Sequence, residues 1–291
     1  MKILIAGKNG QVGRCLVDLL EAHTELTFLA LDREELDITD PIQVDKIVSV
    51  FQPNIIINAA AYTAVDKAEQ ESELAHAINK EGPQNLAHAA NKVNAAIIHI
   101  STDYVFDGDS PESYTESEVT APQGEYGRSK LAGEQAVVQA CCKHIILRTA
   151  WVFGEHGNNF VKTMLHLAKT RESVGVVADQ FGGPTYAGDI AKAILTISKQ
   201  IALGNHAYGV YHFSGFPYVS WHSFAIKIFE KALDQDVLIQ PIRVNPITTL
   251  DYPTPAKRPA NSRLSCDKIL KVFGIKQSDW QAALMRIKEY S

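Results

Sequence analysis

The chain has 291 residues, of which 46% are hydrophobic and 21% are charged, and its formal net charge is −5. This composition is typical of a globular chain with a sizeable core, and the length suggests one large domain or two. The acidic balance excludes a basic face for nucleic acid, and no apolar run approaches membrane-span length. The four cysteines lack paired spacing and no signal-peptide pattern opens the chain, so we expect reduced thiols in a cytoplasmic protein.

The first predicted element is a buried strand over residues 3–6, which enters a glycine turn before a helix over about residues 11–22. Gly7, Gly10 and Gly13 are spaced G-x-x-G-x-x-G, which differs from the G-x-G-x-x-G fingerprint of dinucleotide-binding proteins. A strand, a glycine turn and a helix N-terminus present backbone N–H groups to a pyrophosphate. The triplet alone is a weak signal, because a tight strand–helix turn uses the same glycines.

A second strand, over residues 26–31, is followed by an acidic and a basic residue, Asp32 and Arg33. An acid at this position can bind the adenosine ribose hydroxyls, whereas an arginine can accept the 2′-phosphate of the phosphorylated cofactor. The pair therefore fits a nicotinamide dinucleotide but leaves NADPH and NADH open.

The third strand, over residues 54–58, is followed by a turn of small residues that ends at Ala61. Small side chains there allow backbone to approach a flat ligand, although simple tight packing explains them equally well. A long helix over about residues 71–91 comes next, and Asn79 within it is expected to face solvent.

The strongest chemical signal is a tyrosine and a lysine four residues apart on a predicted helix, Tyr126 and Lys130. This spacing places both side chains on one helix face, where the ammonium is expected to lower the pKa of the phenol and make it a proton donor to a carbonyl oxygen. Thr102 follows the apolar strand over residues 95–101, so its hydroxyl reaches the same edge of the sheet and can hold that oxygen. Taken alone, the Tyr/Lys pair also fits a chance arrangement on a surface helix.

Five strand–helix alternations predict an α/β fold with a doubly wound parallel sheet of the Rossmann kind. We expect residues 1–152 to form this dinucleotide-binding domain. Residues 153–291 are expected to form most of a smaller, discontinuous α+β substrate-binding domain, with the chain returning to the first domain at about 173–200 and 209–214.

Two regions after the fourth strand offer candidate substrate contacts. Trp151 follows the fifth strand at the sheet edge and fits either a wall for a sugar or base, or a core position. Arg258 and Arg263 lie on or just after a stiff, proline-rich loop over residues 252–259. There they fit either a bidentate clasp for a diphosphate or a solvated charged loop.

These motifs together resemble the extended short-chain dehydrogenase/reductases. More narrowly, residues 58–69, 101–106, 157–160 and 253–264 are similar to the dTDP-4-dehydrorhamnose reductase family, and the resemblance covers essentially the whole chain. Members of that family reduce the 4-keto group of dTDP-4-dehydro-L-rhamnose to give dTDP-L-rhamnose, a precursor of surface polysaccharide. The resemblance therefore implies an oxidoreductase that acts on a dTDP-sugar and uses NADPH or NADH.

The resemblance and the patterns above assign roles to individual residues. The expected catalytic residues are Tyr126, Lys130 and Thr102, and Lys130 is also expected at the nicotinamide ribose. The expected dinucleotide contacts are Gly7, Gly10, Gln11, Val12, Gly13, Asp32, Arg33, Asp37, Ile38, Ala61, Tyr62 and Thr63, together with Tyr126 and Lys130. The expected contacts to the sugar nucleotide are Thr102, Asp103, Trp151, Asn159, Arg258 and Arg263.

Two departures from the family pattern bear on the chemistry. Some members bind Mg²⁺ between two subunits through glutamates, but positions 14–15 and 188–189 carry Arg-Cys and Gly-Asp here, so no metal site is predicted. Related dehydratases carry an Asp-Glu pair after the threonine to drive elimination. Thr102 is followed here by Asp-Tyr, which favours plain reduction.

Two alternative functions stay open at this point. One is a non-catalytic, reductase-like regulatory subunit of methionine adenosyltransferase, and the other is a sibling nucleotide-sugar epimerase or reductase. Oxidation of the cofactor in the presence of the keto sugar would distinguish the reductase from the regulatory subunit. Activity on a panel of nucleotide sugars would distinguish it from a sibling epimerase or reductase. We expect a homodimer and neither a nucleic-acid nor a membrane partner.

Overall fold

The computed structural model describes residues 1–290, and no helix within that range is long and apolar enough to cross a bilayer. Its strands are β1 (Lys2–Ala6), β2 (Thr27–Leu31), β3 (Ile55–Asn58), β4 (Ala96–Thr102), β5 (His144–Thr149), β6 (Val152–Phe153), β7 (Ser173–Val177), β8 (Phe181–Gly182), β9 (Thr185–Tyr186), β10 (Gly209–His212), β11 (Val219–Ser220), β12 (Arg243–Ile247) and β13 (Asn261–Ser262). Its α-helices are α1 (Gln11–Glu21), α2 (Pro41–Phe51), α3 (Val65–Ala68), α4 (Ser72–His76), α5 (Gly82–Lys92), α6 (Glu125–Ala140), α7 (Phe160–Ala168), α8 (Ala187–Ala202), α9 (Trp221–Asp234), α10 (Asp267–Phe273) and α11 (Trp280–Leu284).

The large sheet has six parallel strands in the order β2-β1-β3-β4-β5-β10. Helices cover both of its faces, so the central strands are apolar along their length, and every residue of β3 is buried. This confirms the predicted doubly wound parallel sheet.

Two apolar layers join the helices to this sheet. On one face, α1 and α8 pack against strand residues such as Ile5 and Ile98. On the other face, α2 and α5 pack against residues such as Leu4 and Ile97. Neighbouring residues of one strand enter opposite layers because side chains alternate along a strand.

A second apolar core lies apart from the large sheet and is built by α7, α9, α11 and β7. Strand β10 adds to the large sheet beside β5, whereas β7 pairs with β12 in a separate two-stranded sheet. The residues of β7 alternate between exposed and buried, a pattern that does not suit a parallel sheet covered on both faces. The stretch 173–177 therefore lies outside the large sheet. The domain boundary near residue 152 stays a prediction, which the two separate cores favour.

The helix expected over about residues 71–91 is interrupted. It consists of α4, a π-helical turn over Ala77–Glu81, and α5. Pro83 has no N–H, so the Asn79 carbonyl cannot receive the helical hydrogen bond from four residues later. Gly133 of α6 packs directly on that carbonyl, because a Cβ on Gly133 would lie only 1.9 Å from the Asn79 oxygen.

Gly133→Ala is expected to lower the free energy of unfolding by about 1–3 kcal/mol, because the added methyl group would overlap a backbone oxygen. Thermal unfolding followed by circular dichroism measures this change. Gln135→Ala on the exposed side of α6 is the control and should stay within about 0.5 kcal/mol of the parent. If the Gly133→Ala midpoint matched the parent, the close packing of α6 on the π-helical turn would be wrong.

Candidate active site

The carboxyl ends of the six parallel strands meet at one edge of the large sheet. The strand order changes direction at β1, which lies between β2 and β3. Ligands of open α/β sheets bind in the crevice at such a switch point. The turns after β1, β2, β3 and β4 converge there, and most of the predicted site residues belong to these turns.

Glycine is needed at one position in the turn between β1 and α1 and at one position in the first turn of α1. Gly7 has a φ of +91°, and a Cβ there would lie 2.6 Å from the backbone nitrogen of Ala60. A Cβ on Gly13 would lie 2.1 Å from the carbonyl oxygen of Gly7. These close approaches bring the turn after β1 against the turn after β3, and Gly10 precedes the first residue of α1 at the cleft. The N–H groups at the start of α1 are thereby available to a pyrophosphate.

A cleft of about 300 Å³ lies beside this glycine turn. Its small residues and its Asp/Arg pair fit the adenosine half of a dinucleotide. The lining comprises Gly7, Asn9, Gly10, Asp32, Arg33, Leu36, Asp37, Ile38, Ala59, Ala60, Ala61 and Ile78. The predicted dinucleotide contacts outside this lining are Gln11, Val12, Gly13, Tyr62, Thr63, Tyr126 and Lys130.

The carboxylate of Asp32 is oriented by several donors. Its Oδ1 accepts from the backbone N–H groups of Glu34 and Glu35 at 3.0 and 3.2 Å, and its Oδ2 accepts from Asn9 Nδ2 at 3.0 Å. Partial desolvation opposes ionisation, but these hydrogen bonds outweigh it and lower the pKa of Asp32. Arg33 is exposed at the rim of the cleft. The structure thus offers both a ribose acceptor and a phosphate donor.

Asn79 connects the turn after β3 to the helix that carries the Tyr/Lys pair. It is fully buried, so the expectation that it faces solvent is wrong. Its Oδ1 accepts from the Tyr62 N–H at 2.8 Å, and its Nδ2 donates to the Tyr62 carbonyl at 3.1 Å and to Ser129 Oγ at 3.0 Å. Ser129 Oγ donates in turn to the Tyr126 carbonyl at 2.8 Å. Asn79, in the π-helical turn, therefore holds the loop that contains Tyr62 in a fixed position relative to Tyr126.

The three predicted catalytic side chains lie together where β4 ends beside α6. The Tyr126 hydroxyl hydrogen-bonds Thr102, whose Oγ1 donates to Asp103 Oδ1 at 3.0 Å. Lys130 is only 2% exposed, and its Nζ donates to the Ile100 carbonyl at 2.7 Å. A phenol, a hydroxyl and an ammonium thus share one corner of the sheet edge.

The protonation behaviour of this corner differs from the expectation. Burial, followed by the charge of Asp103, raises the pKa of Tyr126 above its ordinary value. The prediction that Lys130 lowers this pKa is wrong for this structure, because desolvation of the phenol dominates. Burial lowers the pKa of Lys130 to about 8. At neutral pH the phenol keeps its proton and the ammonium keeps its charge.

Asp103 adds a third titratable group beside Tyr126. It is 4% exposed, and burial raises the pKa of its carboxyl to about 6, although the Ser262 hydroxyl lies close enough to offset part of the rise. Its Oδ2 has no hydrogen-bond partner of good geometry. A buried oxygen of this kind costs free energy until a donor reaches it. Asp103 therefore fits the predicted contact with the sugar nucleotide, where its free oxygen can accept a hydroxyl.

A second cavity, of about 660 Å³, lies beside this corner. Tyr104 lines it and packs edge-on against Tyr126, with ring centroids 5.4 Å apart, so the wall of the cavity adjoins Tyr126. Its wall is mostly aromatic and aliphatic, with a few charged groups. The lining includes Asp66, Tyr104, Trp151, Phe160, Arg171, Trp221, Arg258 and Ser262.

Two predicted substrate contacts line this cavity. Trp151 stacks on Trp221 with ring centroids 3.5 Å apart and an interplanar angle of 11°. Arg258 donates to Asp66 Oδ2 at 2.6 Å and to the Tyr104 hydroxyl at 3.1 Å. The cavity thus presents a flat indole surface and a guanidinium on the proline-rich loop.

Two other predicted substrate contacts lie elsewhere. Asn159 caps the N-terminus of α7 and donates to Gln11 Oε1 at 3.1 Å, which joins the second core to the glycine turn. Arg263 donates to Asn261 Oδ1 at 2.7 Å and to the Pro111 carbonyl at 2.5 Å. Neither residue lines the 660 Å³ cavity, so their roles toward substrate stay predictions.

The residues at the family's metal positions do not fit Mg²⁺, which prefers oxygen ligands. Cys15 offers a buried thiol whose pKa burial raises to about 12. The Asp189 carboxylate already accepts hydrogen bonds from two neighbouring side chains. Donor atoms of Cys15, Glu155 and His156 lie within 4.8 Å of one another, but a thiol and an imidazole are not magnesium ligands. No step of the chemistry therefore depends on this metal.

The sequence analysis did not identify several residues that shape the site, although two of them carry a local signal. Pro83, four residues after Asn79, marks the interruption of the helix and hence the inward position of Asn79. Glu134 continues the four-residue spacing of the Tyr/Lys pair and so belongs on the same helix face. Asp66 is 192 residues away from Arg258, and nothing near it in the sequence marks their contact.

The glycine turn at the switch point, together with the Tyr126, Lys130 and Thr102 corner, defines an NAD(P)-dependent oxidoreductase of the extended short-chain dehydrogenase/reductase class. A family model described as the RmlD substrate binding domain matches residues 1–290. A dTDP-4-dehydrorhamnose reductase from Aggregatibacter actinomycetemcomitans is 54% identical over 291 residues, which cover 100% of this chain and 99% of the relative. The chain belongs to the dTDP-4-dehydrorhamnose reductase family.

Solved structures agree with this placement. A dTDP-4-dehydrorhamnose reductase from Clostridium acetobutylicum has a TM-score of 0.91 and 41% identity, covering 99% of both chains. A dTDP-4-dehydrorhamnose reductase from Bacillus anthracis, solved in complex with NADP, has a TM-score of 0.90 and 42% identity, covering 100% of this chain and 99% of its own.

Proposed function

We propose that the protein reduces the 4-keto group of dTDP-4-dehydro-β-L-rhamnose to give dTDP-L-rhamnose, with NADPH or NADH as the hydride donor, in the biosynthesis of surface polysaccharide. The observation that carries this proposal is the corner formed by Tyr126, Lys130 and Thr102 between a dinucleotide-type cleft and an aromatic cavity. The names of the relatives support the substrate, and the NADP complex of the Bacillus anthracis reductase supports the cofactor.

The roles of the residues follow from their protonation states. A bound reduced nicotinamide supplies the hydride that adds to C4 of the sugar. Thr102 holds the carbonyl oxygen, and Tyr126 transfers its proton to that oxygen, so the C=O group becomes a CH–OH group. The charge of Lys130 stabilises the phenolate that remains. Asp103, through its unpartnered Oδ2, accepts a hydroxyl of the sugar and orients the ring.

The cavity beside this corner supports a nucleotide sugar as the substrate. Its volume of about 660 Å³ is within the range of small-molecule sites, which are mostly apolar with a few placed polar groups. The exposed part of the Trp151 indole suits a sugar or base face. Arg258 suits the diphosphate, to which it can make bidentate charge-assisted hydrogen bonds on leaving Asp66.

The test is cofactor oxidation with dTDP-4-dehydro-L-rhamnose, using NADPH and NADH in turn, with the product identified by NMR. We expect one cofactor oxidised per sugar and dTDP-L-rhamnose as the product. Absence of cofactor oxidation, with a methionine adenosyltransferase co-purifying, would instead support the regulatory alternative. Isomerisation without net cofactor consumption, seen on a panel of nucleotide sugars, would support an epimerase.

Arg33→Ala is expected to lower kcat/KM with NADPH by roughly ten- to a hundredfold and to leave the value with NADH nearly unchanged. The reason is the loss of a charge-assisted hydrogen bond to the 2′-phosphate, which NADH lacks. Steady-state kinetics with each cofactor measures the ratio. Arg14→Ala removes an exposed arginine outside the cleft and is the matched control. Equal losses with both cofactors would contradict a role for Arg33 in selecting the phosphate.

We also propose a homodimer and a cytoplasmic location. The four cysteines are free thiols, three of them buried, which supports a reducing compartment. Sedimentation equilibrium tests the oligomeric state, and we expect twice the chain mass of 32.0 kDa. A mass equal to one chain at working concentration would contradict the dimer.

A further inference from the structure

A buried ion pair lies one helical turn beyond Lys130 and has no role in the chemistry described so far. Glu134 and Arg148 are 3% and 4% exposed. Arg148 Nε donates to Glu134 Oε1 at 2.9 Å, and its Nη2 donates to Oε2 at 2.7 Å. Ser101, the residue before Thr102, donates to Glu134 Oε1 at 2.5 Å. The two carboxylate oxygens thus receive three donors in a bidentate arrangement.

The two charged groups of the pair have different surroundings. Tyr126, Lys130 and Glu134 are spaced by four residues on α6 and therefore share one face. The Arg148 guanidinium lies 5.0 Å from the centre of the Phe106 ring. Glu134 thus belongs to the helix face that carries Lys130, whereas the guanidinium of the pair packs on an aromatic ring.

Lys130 has few other sources of negative charge. Glu134 is the group whose charge opposes the effect of burial on the pKa of Lys130. His99 of β4 is fully buried, and burial together with the charge of Lys130 drives the pKa of His99 well below its usual value, so its ring is neutral. Asp103 faces Tyr126 from the turn after β4, where its charge acts on the phenol. Glu134 is therefore the carboxylate whose negative charge acts on Lys130.

Stability alone is a weak reason for this arrangement. A buried ion pair contributes little net stability compared with apolar side chains of the same size, because both charges lose their hydration. Glu134 follows Lys130 by one helical turn and accepts a hydrogen bond from Ser101, the residue before Thr102. The pair therefore connects two of the elements that carry catalytic side chains.

We propose that Glu134, fixed by Arg148 and Ser101, is a positioning residue that places a negative charge on the helix face of Lys130 and so stabilises the ammonium where it meets the Ile100 carbonyl. This inference rests on the proposed reductase function for its catalytic consequence. The effect of Glu134 on the pKa of Lys130 is measurable without any substrate. Glu134 itself does not touch the reacting atoms.

The test is an NMR titration of protein carrying lysine labelled with ¹³C at Cε, with the Lys130 signal assigned by its loss in Lys130→Met. In Glu134→Gln we expect the pKa of Lys130 to fall by roughly one unit from its parent value. Glu155→Gln is the control, because it removes a carboxylate that bonds Tyr186 instead, and it should leave the pKa of Lys130 at the parent value. An unshifted Lys130 signal in folded Glu134→Gln would overturn the proposal.

Glu134→Gln leaves Arg148 buried without a partner and can fail to fold. The double variant Glu134→Gln/Arg148→Met removes both charges and is the second protein for the same titration. We expect a smaller fall in the pKa of Lys130, because the loss of the Arg148 charge also removes a repulsion of the ammonium, and a parent-like value would overturn the proposal.

The pH dependence of kcat/KM tests the effect of Glu134 on catalysis, whereas the titration tests its effect on Lys130. In active enzyme, the fall of kcat/KM at high pH should begin about one unit lower in Glu134→Gln than in the parent. A parent enzyme that oxidises no cofactor with the keto sugar would remove the proposed function, while the titration would still decide the role of Glu134. A shifted titration with an unshifted rate profile would overturn the catalytic consequence.

Discussion

Tyr126→Phe should lower kcat for reduction of the keto sugar by about 10²–10⁴-fold while NADPH binds with unchanged affinity. The factor is that of a lost general acid, because the phenylalanine ring keeps the edge-on contact with Tyr104 but carries no proton to transfer. Steady-state turnover gives kcat, and a fluorescence titration gives the NADPH dissociation constant.

Tyr104→Phe is the matched control for this experiment. It removes a hydroxyl from the neighbouring ring, where the partner is Arg258. We expect a higher KM with kcat nearly preserved, because that hydroxyl lies at the cavity wall. Near-normal turnover by Tyr126→Phe would mean that another group supplies the proton, and the buried carboxyl of Asp103 would be the first candidate.

Lys130→Met should lower kcat/KM by about 10²–10³-fold near neutral pH, because a preorganised charge beside the developing phenolate is lost. The parent enzyme should lose activity as pH rises through about 8, the pKa to which burial lowers Lys130. Activity falls as pH rises because the Lys130 ammonium is charged below this pKa and neutral above it. This decline at high pH should be absent in Lys130→Met.

The measurement is kcat/KM across a pH range that spans this value, with circular dichroism at each pH to show that the fold persists. Lys46→Met, on the exposed side of α2, is the control and should keep the parent profile. If the decline at high pH persisted in Lys130→Met, a different group would be titrating and the assignment of Lys130 would be wrong.

The elements around the site were predictable because their signals are local. The apolar run before Gly7 and the glycines after it identify a buried strand and a tight turn without any knowledge of the rest of the chain. The spacing of Tyr126 and Lys130 places them on one helix face in any α-helix. The family and the parallel sheet were predicted correctly for the same reason.

The break in the helix around Asn79 was missed although its cause is visible. Hydrophobic periodicity runs through residues 71–91, but Pro83 removes one hydrogen bond and the neighbouring turn becomes π-helical. A proline within a helical pattern is thus a reason to expect the helix to be interrupted one turn earlier. The expected lowering of the pKa of Tyr126 failed for a different reason, because desolvation depends on burial that spacing does not reveal.

Local sequence patterns were enough to predict the first five strands of the large sheet, the glycine turn, and the identity of the acid, the ammonium and the hydroxyl at the sheet edge. Each of these depends on residues a few positions apart. Folding in three dimensions was needed to show which groups are buried, that Glu134 pairs with Arg148, and that Arg258 bonds Asp66. Those features depend on contacts between distant segments and on the exclusion of water, and neither is encoded in local spacing.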